Sequence, residues 1–346
     1  MPTPGRVRAC LTLTLIASLL TLTIPVSSYA KMAAPSETSS TQQPSEFELR
    51  KALFEQMSSV TGIPWTQLAA IDQYERTMTI AHKKTRPVRE GLTAILYHER
   101  IWAGPLNPNP DEQNPAHIAF FAGIGLDGNG DGQADRHNDE DVLYTTARHI
   151  LRHGTGAEDF SAAVWAMYQN NRAVERILQF DRIYRNFDTL ALDVNAFPVP
   201  LHATYSYRGT WGASRGWGGR RIHEGTDIFA GHGVPVRSTC YGIVETKGWN
   251  RYGGWRIGIR SINNVYHYYA HLSGFSKEVY RGKIVTPGEV LGWVGNTGYG
   301  KQGTAGKFPP HLHYGLYRDS GLTDWPFDPY SYLRRWERDE RGRQSR

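Results

Sequence analysis

The stretch "FPPHLHYG" places His311 and His313 one residue apart among apolar and aromatic neighbours. Side chains alternate along a strand, so both imidazoles would share one face and Leu312 would take the other. Two readings compete: a pair of half-buried histidines bonded within a sheet, or a metal ligand beside a catalytic base. The second needs further donors, and "RIHEGTDIFA" supplies them. His223 and Asp227 flank Gly225, which permits a tight turn that brings both side chains to one point. With His313 they make two imidazoles and a carboxylate, the ligand set of a catalytic zinc site whose fourth position stays open. His-x-x-x-Asp alone arises often by chance. Joined to His-x-His in a strand- and glycine-rich region, it becomes specific.

A third stretch, "YHYYAHLSG", adds His271. Strand alternation predicts that His267, Tyr269 and His271 lie on one face. A histidine beside such a metal can hold the attacking water or stabilise an oxyanion, and His271 is read in that way. His267 is read as a core-edge residue. Cys240, in the strand-like "VPVRSTCYGIVE", is expected to be a small buried hydrophobe rather than a nucleophile.

The elements that must position these residues change character along the chain. "WTQLAAIDQYERTM", "LYTTARHILRHG" and "FSAAVWAMYQNNRAVERILQFDRIY" repeat apolar residues at helical spacing. Beyond "NAFPVPL" glycine becomes frequent, and "GIVETKGW", "WRIGIRS", "VYHYYAHL" and "GEVLGWVG" read as strands. The expected fold class is therefore α+β and multidomain, an all-α domain followed by an all-β domain. Residues 1–30 read as a signal peptide: Arg6 and Arg8 precede an apolar run broken by Pro25, and Ser28 and Ala30 fit a cleavage site. An uncleaved anchor is the alternative. The boundaries expected next are a linker at 31–46, the helical domain at 47–194, the β domain at 195–335 and a fraying charged tail at 336–346.

Composition narrows the function classes. A 346-residue chain with 40% hydrophobic residues and ten tryptophans can build two cores. Loss of the signal would lower the net charge from +6 to +4, an excess too small and scattered to argue for nucleic acid. It would also remove Cys10 and leave Cys240 alone, so an exported chain would carry no internal disulfide. No organic cofactor is implied, and the oligomeric state is not legible.

"HEGTD", "YYAHLS" and "PPHLHYG" together resemble the signature segments of the lysostaphin/LytM-type zinc endopeptidases, which cut peptide bonds in bacterial peptidoglycan. The resemblance covers about residues 197 to 335. It implies a lipoyl-like β core, one Zn2+ per chain on His223, Asp227 and His313, and a catalytic pair His271 and His311. His311 is the better base because it shares a strand face with a ligand, although which imidazole does which stays open. "WGASRGWGGRRIHEGTDIF" and "GTAGKFPPHLHYGLY" are similar to the sporulation-type L-Ala–D-Glu endopeptidases. That implies an exported enzyme acting on stem peptides in the cell wall or spore cortex. Arg215, Arg220 and Arg221 would then meet substrate carboxylates, with solvated loop charge as the alternative. A latency asparagine is not matched.

In the helical domain, "GLDGNGDGQAD" sets Asp127, Asn129, Asp131 and Asp135 at the positions of an EF-hand-type calcium loop. Asn138 stands where a glutamate is expected. A metal-free Asx- and glycine-rich turn is the alternative to Ca2+. The domain also resembles lysozyme-like transglycosylases, which would make Glu75 the acid and Tyr168 part of a glycan site. Two departures argue against cleavage: Arg76 follows Glu75 and would keep it ionised, and Gln169 separates Tyr168 from Asn170. A domain that holds glycan is expected instead. The remaining alternatives are a bifunctional wall hydrolase and a non-catalytic wall-binding protein.

Overall fold

Ser45 opens the first helix with a reciprocal cap: its hydroxyl accepts from Glu48 N, and Glu48 Oε2 accepts from Ser45 N at 2.7 Å. The computed structural model describes residues 43–216 and 221–345. The signal peptide, the linker as far as residue 42, and Arg220 lie outside the described residues. Among the described residues, no helix is long and apolar enough to cross a membrane.

The helical part runs α1 (Glu46–Thr61), α2 (Trp65–Ala81), α3 (Glu99–Trp102), α4 (Pro115–Phe120), α5 (Asp139–Leu151), α6 (Ala157–Tyr168) and α7 (Asn171–Phe187). Gly62 ends α1 in the left-handed region at φ 76°. The second helix is buried on nearly every side, with its polar Gln67, Asp72, Gln73 and Glu75 enclosed along with its apolar residues. The long run read as one helical stretch is two helices. Gln169 adopts φ 46°, and the Asn170 side chain caps the N-terminus of α7.

The β part follows with β1 (Tyr205–Tyr207), β2 (Ser214–Arg215), β3 (Arg221–Ile222), β4 (Thr226–Ala230), β5 (Pro235–Arg237), β6 (Gly242–Asn250), β7 (Gly254–Ser261), β8 (Val265–Phe275), β9 (Ile284–Val285), β10 (Val290–Val294), β11 (His311–Asp319), β12 (Asp324–Phe327) and the helix α8 (Tyr330–Gln344). The main sheet is antiparallel in the order β1-β4-β11-β8-β7-β6-β9. On its edges and bends β10 pairs with β5 and β8, and β12 with β11. Leu312, Tyr314 and Leu316 of β11 face a core shared with Ile228, Tyr269 and Leu333. The intervening residues of β11 face the other way, which is the alternation that positions the site.

Helical and β parts keep separate buried clusters, but they are joined rather than tethered. Ile262, beyond β7, belongs to the helical cluster. Arg172 and Arg176 of α7 donate to Asp319, and Arg176 also reaches Glu245 at 2.6 Å. Arg260, 1% exposed, bonds Glu245 and Asp324. Three guanidiniums thus meet three carboxylates across the junction, the condition under which buried charge is tolerated. Residues 44–346 form one compact unit.

The stretch from residue 336 is not a fraying tail. It forms the latter part of α8 and buries Trp336 and Glu340. Glu340 accepts from Phe197 N at 2.7 Å and from Arg237 at 3.0 Å. Its charged residues hid this because they alternate with a sparse apolar stripe that only the β core completes.

Candidate metal centre

β4 and β11 lie side by side with His313 opposite Asp227, so the sheet register itself brings carboxylate and imidazole together. His223 sits just before β4 and completes the group. Its Nε2 lies 3.1 Å from Asp227 Oδ1 and 3.0 Å from His313 Nδ1, and His313 Nδ1 lies 3.0 Å from Asp227 Oδ1. Donor separations of about 3 Å suit ligands held about 2.0–2.2 Å from one ion. Among the described residues this is the grouping of three such donors that could hold a metal.

The hydrogen bonding tests the fit further. His223 Nδ1 is 2.9 Å from Thr210 O, which must accept, so the proton sits on Nδ1 and the Nε2 lone pair faces the centre. Three electron-rich atoms then converge where at most one proton can serve them, and a cation resolves the clash. Burial would raise the Asp227 pKa, but the imidazoles of His223 and His313 beside it outweigh that and hold the carboxyl far below its ordinary value. Burial pushes His313 down, with Asp227 opposing. Two imidazoles and a carboxylate suit zinc.

Gly225 is needed for space rather than for a left-handed turn. A Cβ there would lie 2.7 Å from His313 Cε1 and 2.6 Å from Tyr314 O. The glycine lets the His223 turn close onto the imidazole it must meet.

His311 projects from β11 on the same side as His313, with its Nε2 3.8 Å from Asp227 Oδ1. Its Nδ1 is 2.9 Å from Pro309 O. His271 reaches the same cleft, its ring 4.9 Å from that of His311, and its Nδ1 is 2.7 Å from Thr297 O. Each Nδ1 therefore carries a proton, and on the neutral His271 ring Nε2 is left as an acceptor. Burial, reinforced by His313 and His311, pushes His271 down to about 3.

Alternation does not put His271 there. His267 and Tyr269 point into the core, where both meet Thr239 and Tyr314. His271 should follow them but adopts φ 63°, and this local break in the strand turns it to the opposite face. The predicted shared face is therefore wrong for His271. His267, Cys240 and their hydroxyl partners are core residues.

The cleft over the metal centre has a volume of about 560 Å³. Tyr252, Tyr268, Tyr299, Phe308 and Tyr317 line it together with Arg221 and Glu224. The sequence reading missed these aromatic residues. Alternation could have flagged two of them, Tyr268 against Tyr269 and Tyr317 four residues beyond His313 on β11, whereas Tyr252, Tyr299 and Phe308 come from loops. Of the three arginines considered, Arg221 lines the cleft, while Arg215 lies on β2 in register with it.

The calcium expectation is not supported. Asp127 accepts from Gly130 N at 2.6 Å and Gly132 N at 2.8 Å, while Asp131 accepts from Gln133 N and Asp135 from His137 N. Asn129 Nδ2 donates to Asp131. Asn138, at the expected glutamate position, caps α5 instead. The loop is a self-bonded turn anchored by Asp141, whose two oxygens accept from Gly128 N and Asp135 N.

Glu75 and Tyr168 are brought together: the tyrosine hydroxyl donates to Glu75 Oε1 at 2.6 Å. The cation on Glu75 is Arg86, not Arg76, which turns away to bond Asp72 at 2.8 Å. Burial raises the Glu75 pKa against the opposing pull of Arg86 and Tyr168, so the expectation that Arg76 keeps it ionised fails. Beside it, the β11–β12 hairpin closes on the helices, with Asn170 donating to Gly321 O and His82 Nε2 2.8 Å from Ser320 O.

Comparison with known proteins accords with this geometry. Residues 221–329 match the profile of peptidase family M23. The chain is 53% identical over 291 residues to the L-Ala–D-Glu endopeptidase of Bacillus subtilis (strain 168), covering 84% of this chain and 89% of that protein. It is 36% identical over 115 residues to lysostaphin of Staphylococcus staphylolyticus, covering 33% of this chain and 22% of that protein. The solved catalytic domain of lysostaphin from Staphylococcus simulans shares 29% identity at a TM-score of 0.30, covering 38% of this chain and 92% of that one. The profile falls on the strands that carry the donor triangle, and identity to one named relative runs through both halves of the molecule. The chain belongs to peptidase family M23.

Proposed function

We propose that this protein is an exported, zinc-dependent peptidoglycan endopeptidase that hydrolyses the L-Ala–D-Glu bond of stem peptides during wall or cortex remodelling. The observation that carries the chemistry is the donor triangle of His223, Asp227 and His313, with the rings of His271 and His311 fixed beside it by backbone carbonyls. The bond specificity rests on the 53% identity to the Bacillus subtilis enzyme.

His223, Asp227 and His313 would hold the zinc. When bound, zinc supplies Lewis acidity, lowering the pKa of a water to about 7 and polarising the scissile carbonyl. The protein's own groups do the rest. His311 Nε2 lies beside the triangle and takes the proton of the attacking water; its Nδ1–H bond to Pro309 O fixes the ring for that task. The proton then passes to the departing amine as the C–N bond breaks, and the carbonyl carbon keeps the water oxygen. His271 Nε2 is an acceptor in the resting protein, so it orients the water rather than donating to an oxyanion. Phe308 and the cleft tyrosines form the walls along which the peptide would lie.

For the helical part, the Glu75–Tyr168 bond supports a lysozyme-like ancestry, while the Arg86 pair and the overlying hairpin favour a non-cleaving role.

Metal analysis and digestion of purified peptidoglycan test the reading together. About one zinc per chain and new D-Glu amino termini are expected, with no anhydro-muramyl ends. His313→Ala should lose both metal and activity. His311→Ala should keep the metal and lose turnover by about 10²–10⁴-fold. Full activity in the metal-free protein would refute the proposal.

A further inference from the structure

Among the described residues that line the cleft, Arg221 is the arginine, and no described carboxylate forms an ion pair with it. It lies on β3, two residues before His223, and is half-buried. Its guanidinium carbon sits 5.1 Å from the Tyr252 ring and 5.2 Å from the Tyr299 ring, and it donates to the Tyr299 hydroxyl. The arginines of the helical–β junction, by contrast, are each matched to acids.

The clamp around Arg221 is costly to build. Tyr299 adopts φ 56°, a left-handed conformation that non-glycine residues take when surrounding contacts impose it. Its carbonyl accepts from Lys307 at 2.6 Å, and its ring stacks on His271 at 6.0 Å and 17°. The same tyrosine therefore touches the arginine and the imidazole beside the metal centre. One guanidinium donor is spent on the hydroxyl, and the planar fork keeps donors for a bidentate acceptor.

The substrate proposed above offers such an acceptor. Glutamate has two carboxyl groups, and continuing the peptide uses only one. The residue whose nitrogen leaves in the reaction thus retains a free carboxylate close to the scissile bond. Resting on that functional reading, we propose that Arg221, held between Tyr252 and Tyr299, is the specificity determinant that reads this carboxylate. A carboxylate met by the fork gains two charge-assisted bonds, whereas the corresponding amide offers one neutral oxygen and an NH₂ group that faces a cation.

The test uses the zinc-loaded protein and two soluble stem peptides, identical except that the free carboxylate of D-glutamate is an amide in the second. The unmodified protein should favour the acid over the amide in kcat/KM by about tenfold to a hundredfold. Arg221→Gln should raise KM for the acid while zinc content is retained, and the discrimination between the peptides should collapse to within about twofold. Arg221→Lys, a point charge without the fork, should keep an intermediate preference. Equal losses on both peptides, with the ratio preserved, would make Arg221 a loop clamp and overturn the proposal. So would a parent protein that cleaves both peptides equally well, a result that needs no variant. Cleavage of neither peptide by the parent would instead defeat the L-Ala–D-Glu reading, and this proposal with it.

Discussion

His267 shows how much environment decides for a single residue. It lies in the same strand as His271, yet its ring is sealed in the core, with Nδ1 2.8 Å from the hydroxyls of Thr239 and Tyr314. Burial, with the Arg260 charge adding to it, pushes its pKa down to about 3. An unfolded histidine titrates near 6.5. Between those values the unfolded chain binds the extra proton and the folded chain does not, so stability falls as pH drops through this window. The slope is up to about 1.4 kcal/mol per pH unit for one group. Denaturant unfolding of the parent and of His267→Gln at pH 6.5 and 5 should show the parent losing about 2 kcal/mol more than the variant over that span. Parallel losses would mean that other groups carry the acid sensitivity.

At the scale of elements, the site depends on one regular strand and one irregular one. β11 delivers His311 and His313 by plain alternation, and β4 delivers Asp227 by register. β8 delivers His271 only by breaking its own pattern at φ 63°. That break is seated on neighbouring loops: His271 N donates to Gly253 O at 2.7 Å and its ring to Thr297 O. Gly254, at φ 64°, lets Thr297 approach, and a Cβ there would lie 2.4 Å from the Thr297 carbonyl oxygen. Gly254→Ala should cost about 1–3 kcal/mol of stability through overpacking. It should also shift the carbonyl that orients His271, so turnover should fall in excess of any zinc lost. Thermal unfolding and metal content measured beside kcat check this. Unchanged kcat would mean that the Thr297 bond does not set the imidazole.

Across the whole molecule, the helical part is a structural partner of the peptidase part. Its α7 neutralises Asp319 and Glu245, and its core takes in Ile262. Gln73 Nε2 donates to Ile262 O, and Asn264 Nδ2 to Thr77 Oγ1. Removing residues 47–190 would strand the buried Asp319 without Arg172 and Arg176 and take Arg176 from Glu245, the costly way to break a buried ion network. Such a deletion should therefore abolish folded, soluble protein and reduce activity on a short stem peptide as much as on intact walls. Circular dichroism with both assays checks it. Loss on walls alone would point to glycan holding by a separable domain.

The two halves of the donor triangle were legible in the sequence because each is local, while the register of β4 against β11 joined them. His223 and Asp227 lie within one short turn, and His311 and His313 obey the two-residue period of a strand, so residue type and spacing sufficed. The sequence by itself also determined the change from helix to sheet, since the two periods differ. Tertiary structure decided the rest. The face taken by His271 follows from contacts with Gly253 and Thr297, which alternation cannot encode. The cation on Glu75 is Arg86 because helix geometry turns adjacent residues apart and aims Arg76 at Asp72. The burial of α8 and the tyrosine clamp on Arg221 arise from segments that meet only in the folded chain, where packing overrides what local charge and polarity suggest.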